Sequence, residues 1–214
     1  MQSDQQGVHQ FQPRVFNYSL DWRFLLPLST PDKVFVLFEE NSDFCQTLEQ
    51  VGIPISNQLS FLDIEQKQKN QVNSLVLPFG VPVHSVSGEE ADQVEFFRSM
   101  RKLISEHGNL LVGFNNSRAY RSRTQTQYYS STLQRTTSQL QKAGFKAAKV
   151  FGVVPDLNIP EYIFDLTARP LYFALQHRFK QKPIILNLLQ LLSFTAGVMS
   201  ISDFLPGYFV SAMV

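Results

Sequence analysis

The sequence of 214 residues has one cysteine, Cys45, so no intramolecular disulfide can brace the fold and packing must hold it together. Charge of one sign is missing too. Nineteen Lys and Arg stand against 18 Asp and Glu, a formal charge of +1, which leaves no general field to gather nucleic acid or a strongly acidic partner. No long apolar run is present either. Residues 191–202 are almost uncharged, but Asp203 ends the run and Asn187 and Gln190 interrupt its upstream side, short of the ~20 apolar residues that a spanning helix needs. The opening MQSDQQGVHQFQPR has no basic region followed by an apolar core, so no secretory signal is expected. With a lone thiol, this predicts a cytoplasmic protein. Cys45 follows Phe44 inside a predicted helix and is expected to be a buried structural thiol rather than a nucleophile. No internal repeat and no metal-ligand spacing is present.

Apolar bulk is what the chain does have. Hydrophobic residues make up 43% of it, 19 of them phenylalanine, enough for one packed core. Residues 1–20 are polar and glutamine-rich and read as a loose arm, leaving 21–214 as one domain. DWRFLLPLSTPDK, 21–33, is expected to lie against the core before a first buried strand at 33–38. Ser42 or Asp43 can cap the next helix, whose apolar face is Phe44, Leu48 and Val51 and whose stop is Gly52. Signals then weaken: ISNQLSFLDI predicts one irregular strand and EQKQKN a solvent-facing turn. Residues 72–78 predict a strand, 89–106 a helix ending at His107-Gly108, and 109–115 another buried strand. A polar, arginine-bearing loop precedes a helix at 129–142 that stops at Gly144. Strands follow at 145–154 and 207–214, with KPIILNLLQLLSFTAG available as a largely buried crossover helix. Strand, helix, glycine and strand in repetition predict a three-layer α/β domain with parallel strands.

These segments resemble a class I S-adenosylmethionine-dependent methyltransferase, over roughly residues 22–214. DWRFLLPL followed by KVFVLF is similar to the entry into that family's first strand, and VNSLVLPFGVPVH to its fourth-strand region. EFFRSMRKLISEHGNLLVGFNN is similar to the helix and fifth strand, QLQKAGFKAAKVFGVVPD to the next helix and strand, and FLPGYFVSAMV to the terminal strand. The resemblance implies a Rossmann-like methyltransferase fold with S-adenosylmethionine as cofactor. Between Gly52 and Val72 the chain is short for two strands and a helix, so a strand or helix of the second and third strand region is expected to be missing.

The resemblance also implies a site. Where the family has a glycine-rich loop, this chain has FEENSD, 38–43. Glu39 matches the acidic residue near that loop, an acceptor for the cofactor's ammonium, while Glu40 and Asn41 stand where glycines are expected. A solvated, helix-capping turn is the plainer explanation of this stretch. Asp63, or else Glu65, takes the place of the acidic residue that receives the ribose hydroxyls; an ordinary surface role competes. After the 72–78 strand, Phe79 and Gly80 lie at the carboxyl edge where open α/β sheets collect ligands, with His84 as the nearest general base or else a surface or capping histidine. After 109–115, Asn116 and Arg118 can orient a substrate carboxylate or hydroxyl, or belong to a solvated loop.

Two functions of different class follow. The first is methyl transfer to an oxygen or nitrogen of a small metabolite or glycan. The second is a catalytically silent, methyltransferase-like partner protein, for which the apolar Ile184, Ile185, Leu188, Leu189, Leu191 and Leu192 offer an interface with a protein or a second copy, or else core burial. Nucleic-acid binding by RAYRSRTQTQYY is not expected, since Arg118, Arg121 and Arg123 with Tyr120, Tyr128 and Tyr129 make too small a footprint on a near-neutral chain.

Overall fold

The computed structural model describes residues 18–26, 34–38, 42–54, 56, 58–59, 72–86, 89–119, 127–157, 160–167, 170–171, 173, 176, 184, 187 and 205–214. Residues 1–17 of the expected arm, the Glu39, Glu40 and Asn41 stretch, Asp63 and residues 188–192 lie outside the described residues.

Short apolar runs form the strands. They are β1 (Val34–Leu37), β2 (Gln58–Leu59), β3 (Val72–Leu77), β4 (Ile104–Asn115), β5 (Lys146–Val154), β6 (Tyr162–Asp165) and β7 (Gly207–Met213); three helices, α1 (Ser42–Gln50), α2 (Glu90–Leu103) and α3 (Leu133–Lys142), lie between them. All seven strands join one sheet in the order β2-β1-β3-β4-β7-β5-β6. β1 pairs parallel with β2 and β3, and β3 parallel with β4. β7 runs antiparallel to both β4 and β5, and β6 folds back antiparallel on β5. Strands β1 to β5 therefore point one way.

The two-residue side-chain period of a strand divides the core between the two faces of this sheet. Leu75, Leu77, Leu110, Val112, Tyr208 and Val210 pack on one side with Val94, Phe97 and Met100 of α2 and Leu133 and Leu140 of α3. Their alternates Val76, Leu111 and Phe209 turn to the other side and join Val34 and Val36 of β1, Leu48 of α1, Ile53 and Trp22. Helix, sheet and helix make three layers, the Rossmann-like methyltransferase fold expected from the sequence. Trp22, fully buried in the 3₁₀ helix Tyr18–Leu25, shows residues 18–26 lying against the core before β1. Between Ile53 and Val72 the described residues include β2; residues 60–71, where the expected shortening falls, lie outside the described residues.

Helix α3 ends where its glycine predicts. Gly144 has φ +92, Gly144 N–H donates to Gln141 O (2.9 Å) and Phe145 N–H to Leu140 O (3.0 Å), the paired bonds of a Schellman stop, with Phe145 and Leu140 in the same core cluster. Helix α1 closes with the same pair at Gly52 and Ile53. Its expected caps, the side chains of Ser42 and Asp43, lie outside the described residues. Cys45 is half-buried against the α1 side of the core, as a structural thiol would be.

Two boundaries differ from expectation. The 89–106 helix stops at Leu103, and Ile104 is already extended, so His107-Gly108 lies within β4 instead of capping a helix. The surplus is absorbed by a register shift: Val72 faces Ile104 but Ser74 faces Asn109, with Ser105 Oγ donating to Asn73 Oδ1 across the shift (3.2 Å). Helix α3 starts at Leu133, not 129, because the hydroxyl of Thr132 accepts from Arg135 N–H (3.2 Å) and residues 127–131 are committed elsewhere. The crossover at 183–198 is helical at its described positions 184 and 187, and Ile184 is 82% exposed, so burial of the whole segment does not hold there.

Helices α2 and α3 meet through a buried polar contact, Gln139 Nε2 to Gln93 Oε1 at 2.6 Å. Gln93→Ala strands the Gln139 amide, and urea unfolding should show a loss of about 1–3 kcal/mol; replacing both by leucine should recover most of it. At the surface, Lys142 Nζ donates to Glu90 Oε1. That hydrogen bond, then the Lys142 charge, holds the exposed Glu90 carboxyl below its ordinary value. A lowered folded-state value means that the stabilisation is present above the ordinary glutamate range and is lost as pH falls through the lowered value. Thermal melts should therefore place Glu90→Gln slightly below the parent near neutrality, with the gap closing in acid and in high salt.

Candidate functional site

The order β2-β1-β3 means that the chain leaves β1 for one side of the sheet and then returns to the other. The carboxyl ends of β1 and β3 thus flank a topological switch point, where open α/β sheets collect ligands. β1 delivers Phe38 to this edge, buried; the next residues, Glu39 among them, lie outside the described set, as does Asp63.

β3 delivers Pro78, Phe79 and Gly80. Gly80 N–H donates to Leu77 O (3.3 Å), closing a turn whose glycine sits at φ +92 and is buried. A Cβ there would stand 2.8 Å from Gly113 O, so this position requires glycine for conformation and for space. Phe79 is half-buried, its ring 5.6 Å from that of Tyr128 and tilted by 47°. Beyond it, Val83–Ser85 forms a single 3₁₀ turn whose middle backbone position is His84; the His84 side chain lies outside the described residues. The Ser85 hydroxyl is buried and has no hydrogen-bond partner among the described residues.

β4 delivers Asn115 and Asn116. The Asn116 side chain is fully buried, and its Nδ2 donates to Leu205 O (2.8 Å) and to Tyr208 Oη (3.1 Å). Its Oδ1 accepts from Arg118 N–H (3.0 Å), while its own N–H donates to Pro206 O (2.9 Å). Both amide hydrogens are thus committed inside the fold, and Asn116 ties the exit of β4 to the entry of β7. What it hands to the surface is the exposed Arg118, whose backbone it fixes.

Sequence reasoning missed the piece that brings these exits together, residues 127–131. Tyr129 N–H donates to Val81 O (2.9 Å) and Val83 N–H to Gln127 O (2.8 Å) on the β3 side. Ser131 N–H donates to Asn115 O (2.9 Å) and Ser117 N–H to Ser131 O (3.2 Å) on the β4 side. The available signal was the aromatic pair Tyr128-Tyr129 directly before the Thr132 cap. Tyr128 is 8% exposed against Phe79, and the Tyr129 hydroxyl bonds to backbone.

The described part of the edge presents a half-buried Phe79 ring beside the side-chain-free Gly80 turn. The polar ligands implied by the resemblance, Glu39 and Asp63, belong to the remainder. No protein-family model matches the chain, and no curated protein matches it. Solved structures similar in fold include a SAM-dependent methyltransferase from Archaeoglobus fulgidus (8% identity, 86% of each chain, TM-score 0.49) and an S-adenosylmethionine-dependent methyltransferase from Mesorhizobium loti (11% identity, 91% of this chain and 96% of that one, TM-score 0.49). Phosphoethanolamine N-methyltransferase 2 of Haemonchus contortus, solved with S-adenosyl-L-methionine, shares 11% identity over 87% of this chain and 49% of its own, with a TM-score of 0.46. At such identities the likeness is one of fold. The chemistry of this chain must be sought in its own residues. Among the described residues, no helix is long and apolar enough to cross a membrane.

Since Asn116 is buried with its amide spent on Leu205, Tyr208 and Arg118, Asn116→Ala should cost about 1–3 kcal/mol in urea unfolding. Asn116→Asp should cost more, because it places an acceptor, or a charge, against the Leu205 carbonyl.

Proposed function

We propose that this chain binds S-adenosylmethionine at the β1/β3 switch point and directs methyl transfer to an oxygen or nitrogen of a small metabolite or glycan. The observation that supports this reading is the reversal of strand order at β1, which has β2 on one side and β3 on the other, with the exits of β3 and β4 held together beside it. Glu39 and Asp63 are assigned to the cofactor's ammonium and ribose, and Phe79 and Gly80 to its adenosine. Bound there, the cofactor supplies a methyl group on a cationic sulfur, so the protein's task is alignment of the acceptor. Arg118, presented by the Asn116-anchored loop, orients the acceptor's carboxylate or hydroxyl. His84 receives the proton that the acceptor oxygen or nitrogen gives up. A cytoplasmic location, proposed from the lone thiol, completes the reading.

One set of observations favours a second reading, a catalytically silent methyltransferase-like partner protein. Tyr128 lies against Phe79, Glu40 and Asn41 replace the expected glycines, and Phe173 and Ile184 are 64% and 82% exposed, apolar side chains available to a protein partner or a second copy.

Isothermal titration with S-adenosylmethionine and with S-adenosylhomocysteine separates them. Under the leading reading the parent binds both, and Glu39→Ala weakens binding. The double change Glu40→Gly and Asn41→Gly costs about 1 kcal/mol or less of stability per site. If it alone restores binding, the pocket is a decayed one. No heat from either protein at millimolar ligand overturns the cofactor assignment and leaves the partner reading.

A further inference from the structure

We infer that Tyr129 is a positioning residue of the candidate site: its hydroxyl fixes the turn that carries His84, and residues 127–131 make that turn and the Arg118 loop one mechanical unit. The catalytic meaning rests on the proposed role of His84. The mechanical claim does not.

The turn needs outside support. Val83–Ser85 spans three residues, closes with one bond of its own, Ser85 N–H to Pro82 O at 3.3 Å, and has no side-chain cap. A 3₁₀ segment that short has little stability by itself, because its single bond repays too few of the fixed dihedrals. The support comes from the strap. Val83 N–H donates to Gln127 O and Tyr129 N–H to Val81 O, on either side of the Pro82–Tyr128 bridge. The Tyr129 phenol then reaches the carbonyls at both ends of the turn, Val86 O at 2.9 Å and Val83 O at 3.3 Å, with His84 between them. One hydroxyl has one proton to give. It is shared, with the nearer Val86 carbonyl taking the better part.

The same segment continues two residues further into the β4 exit. Ser131 is bonded to Asn115 and Ser117, and Asn116 holds Arg118 N–H. The backbone at positions 84 and 118 therefore takes its spacing from 127–131 and not from the sheet alone. Precise spacing of a base and an orienting charge is what alignment-dependent chemistry demands.

Tyr129→Phe removes one oxygen and keeps the ring. Backbone amide hydrogen exchange, followed by NMR, should show Ser85 and Val83 exchanging about tenfold faster in the variant, the effect of losing one ordinary hydrogen bond from a local opening. Leu75 and Leu111, in the central strands, should keep their protection. The His84 ring resonances should shift in the variant while those of His107, exposed on β4, stay in place. Unchanged exchange at Val83 and Ser85, or a rise there matched by Leu75 and Leu111, overturns the proposal; so do His84 ring resonances identical in both proteins. None of these measurements requires methyl transfer. If the parent fails to bind S-adenosylmethionine, the functional reading falls and the strap is still decided by exchange. If the parent binds, Tyr129→Phe should leave that affinity within about twofold, since the phenol acts on the His84 turn, and a larger loss would place Tyr129 at the cofactor instead.

Discussion

The sheet depends on β7 being hydrogen-bonded on both of its sides. Among the described residues it is the strand that joins β4 to β5, pairing with the first from Asn109↔Met213 to Asn115↔Gly207 and with the second from Lys146↔Met213 to Val153↔Gly207. A strand in that position has no free edge. Tyr208, Phe209, Val210 and Ala212 are all buried, on both sides of the sheet. Its antiparallel direction brings the start of β7, not its end, to the carboxyl edge of β4. That is why the carbonyls of Leu205 and Pro206 stand where Asn116 can use them. The polar anchor beside the candidate site is a product of how the last strand enters the sheet.

Most of the framework was legible in the sequence because strands buried on both faces must be apolar without alternation, as VFVL, VNSLVL, NLLVGFN and GYFVSAM are. The glycine stops at Gly52 and Gly144 were equally clear, since the chain must turn there. What escaped depends on distant partners. Ile104 continues the apolar spacing of α2, yet it pairs with Val72 of β3, a contact that local periodicity cannot reveal. Tyr129 to Ser131 carry a helix-compatible pattern but spend their backbone groups on the exits of β3 and β4. β6 is four residues folded back on β5, too short to show a period, and it has a fold partner rather than a helix beside it.

The candidate site was readable by position and much less by role. Phe79, Gly80, His84, Asn116 and Arg118 do gather at one edge, because they follow parallel strands that end together. Asn116 was recognisable as a polar residue after a strand, and nothing local distinguishes an asparagine that faces a substrate from one whose amide is consumed by Leu205 and Tyr208. Residues 127–131 offered only the aromatic pair Tyr128-Tyr129 as a signal. Their importance comes from bridging two exits that are more than thirty positions apart in the chain, which is a property of topology.

The register shift at the start of β4 has a practical side. Glu106 and His107 are exposed within it, at the amino end of a strand whose other end carries Asn116. The paired residues 109–115 alone span roughly 20 Å at ~3.3 Å per residue. Because the extra residues already sit outside the regular ladder, a fluorophore or an immobilising tether attached at position 106 perturbs no strand pair. Surface capture through that point leaves the opposite rim turned toward the solution, the orientation in which small molecules can be screened against it.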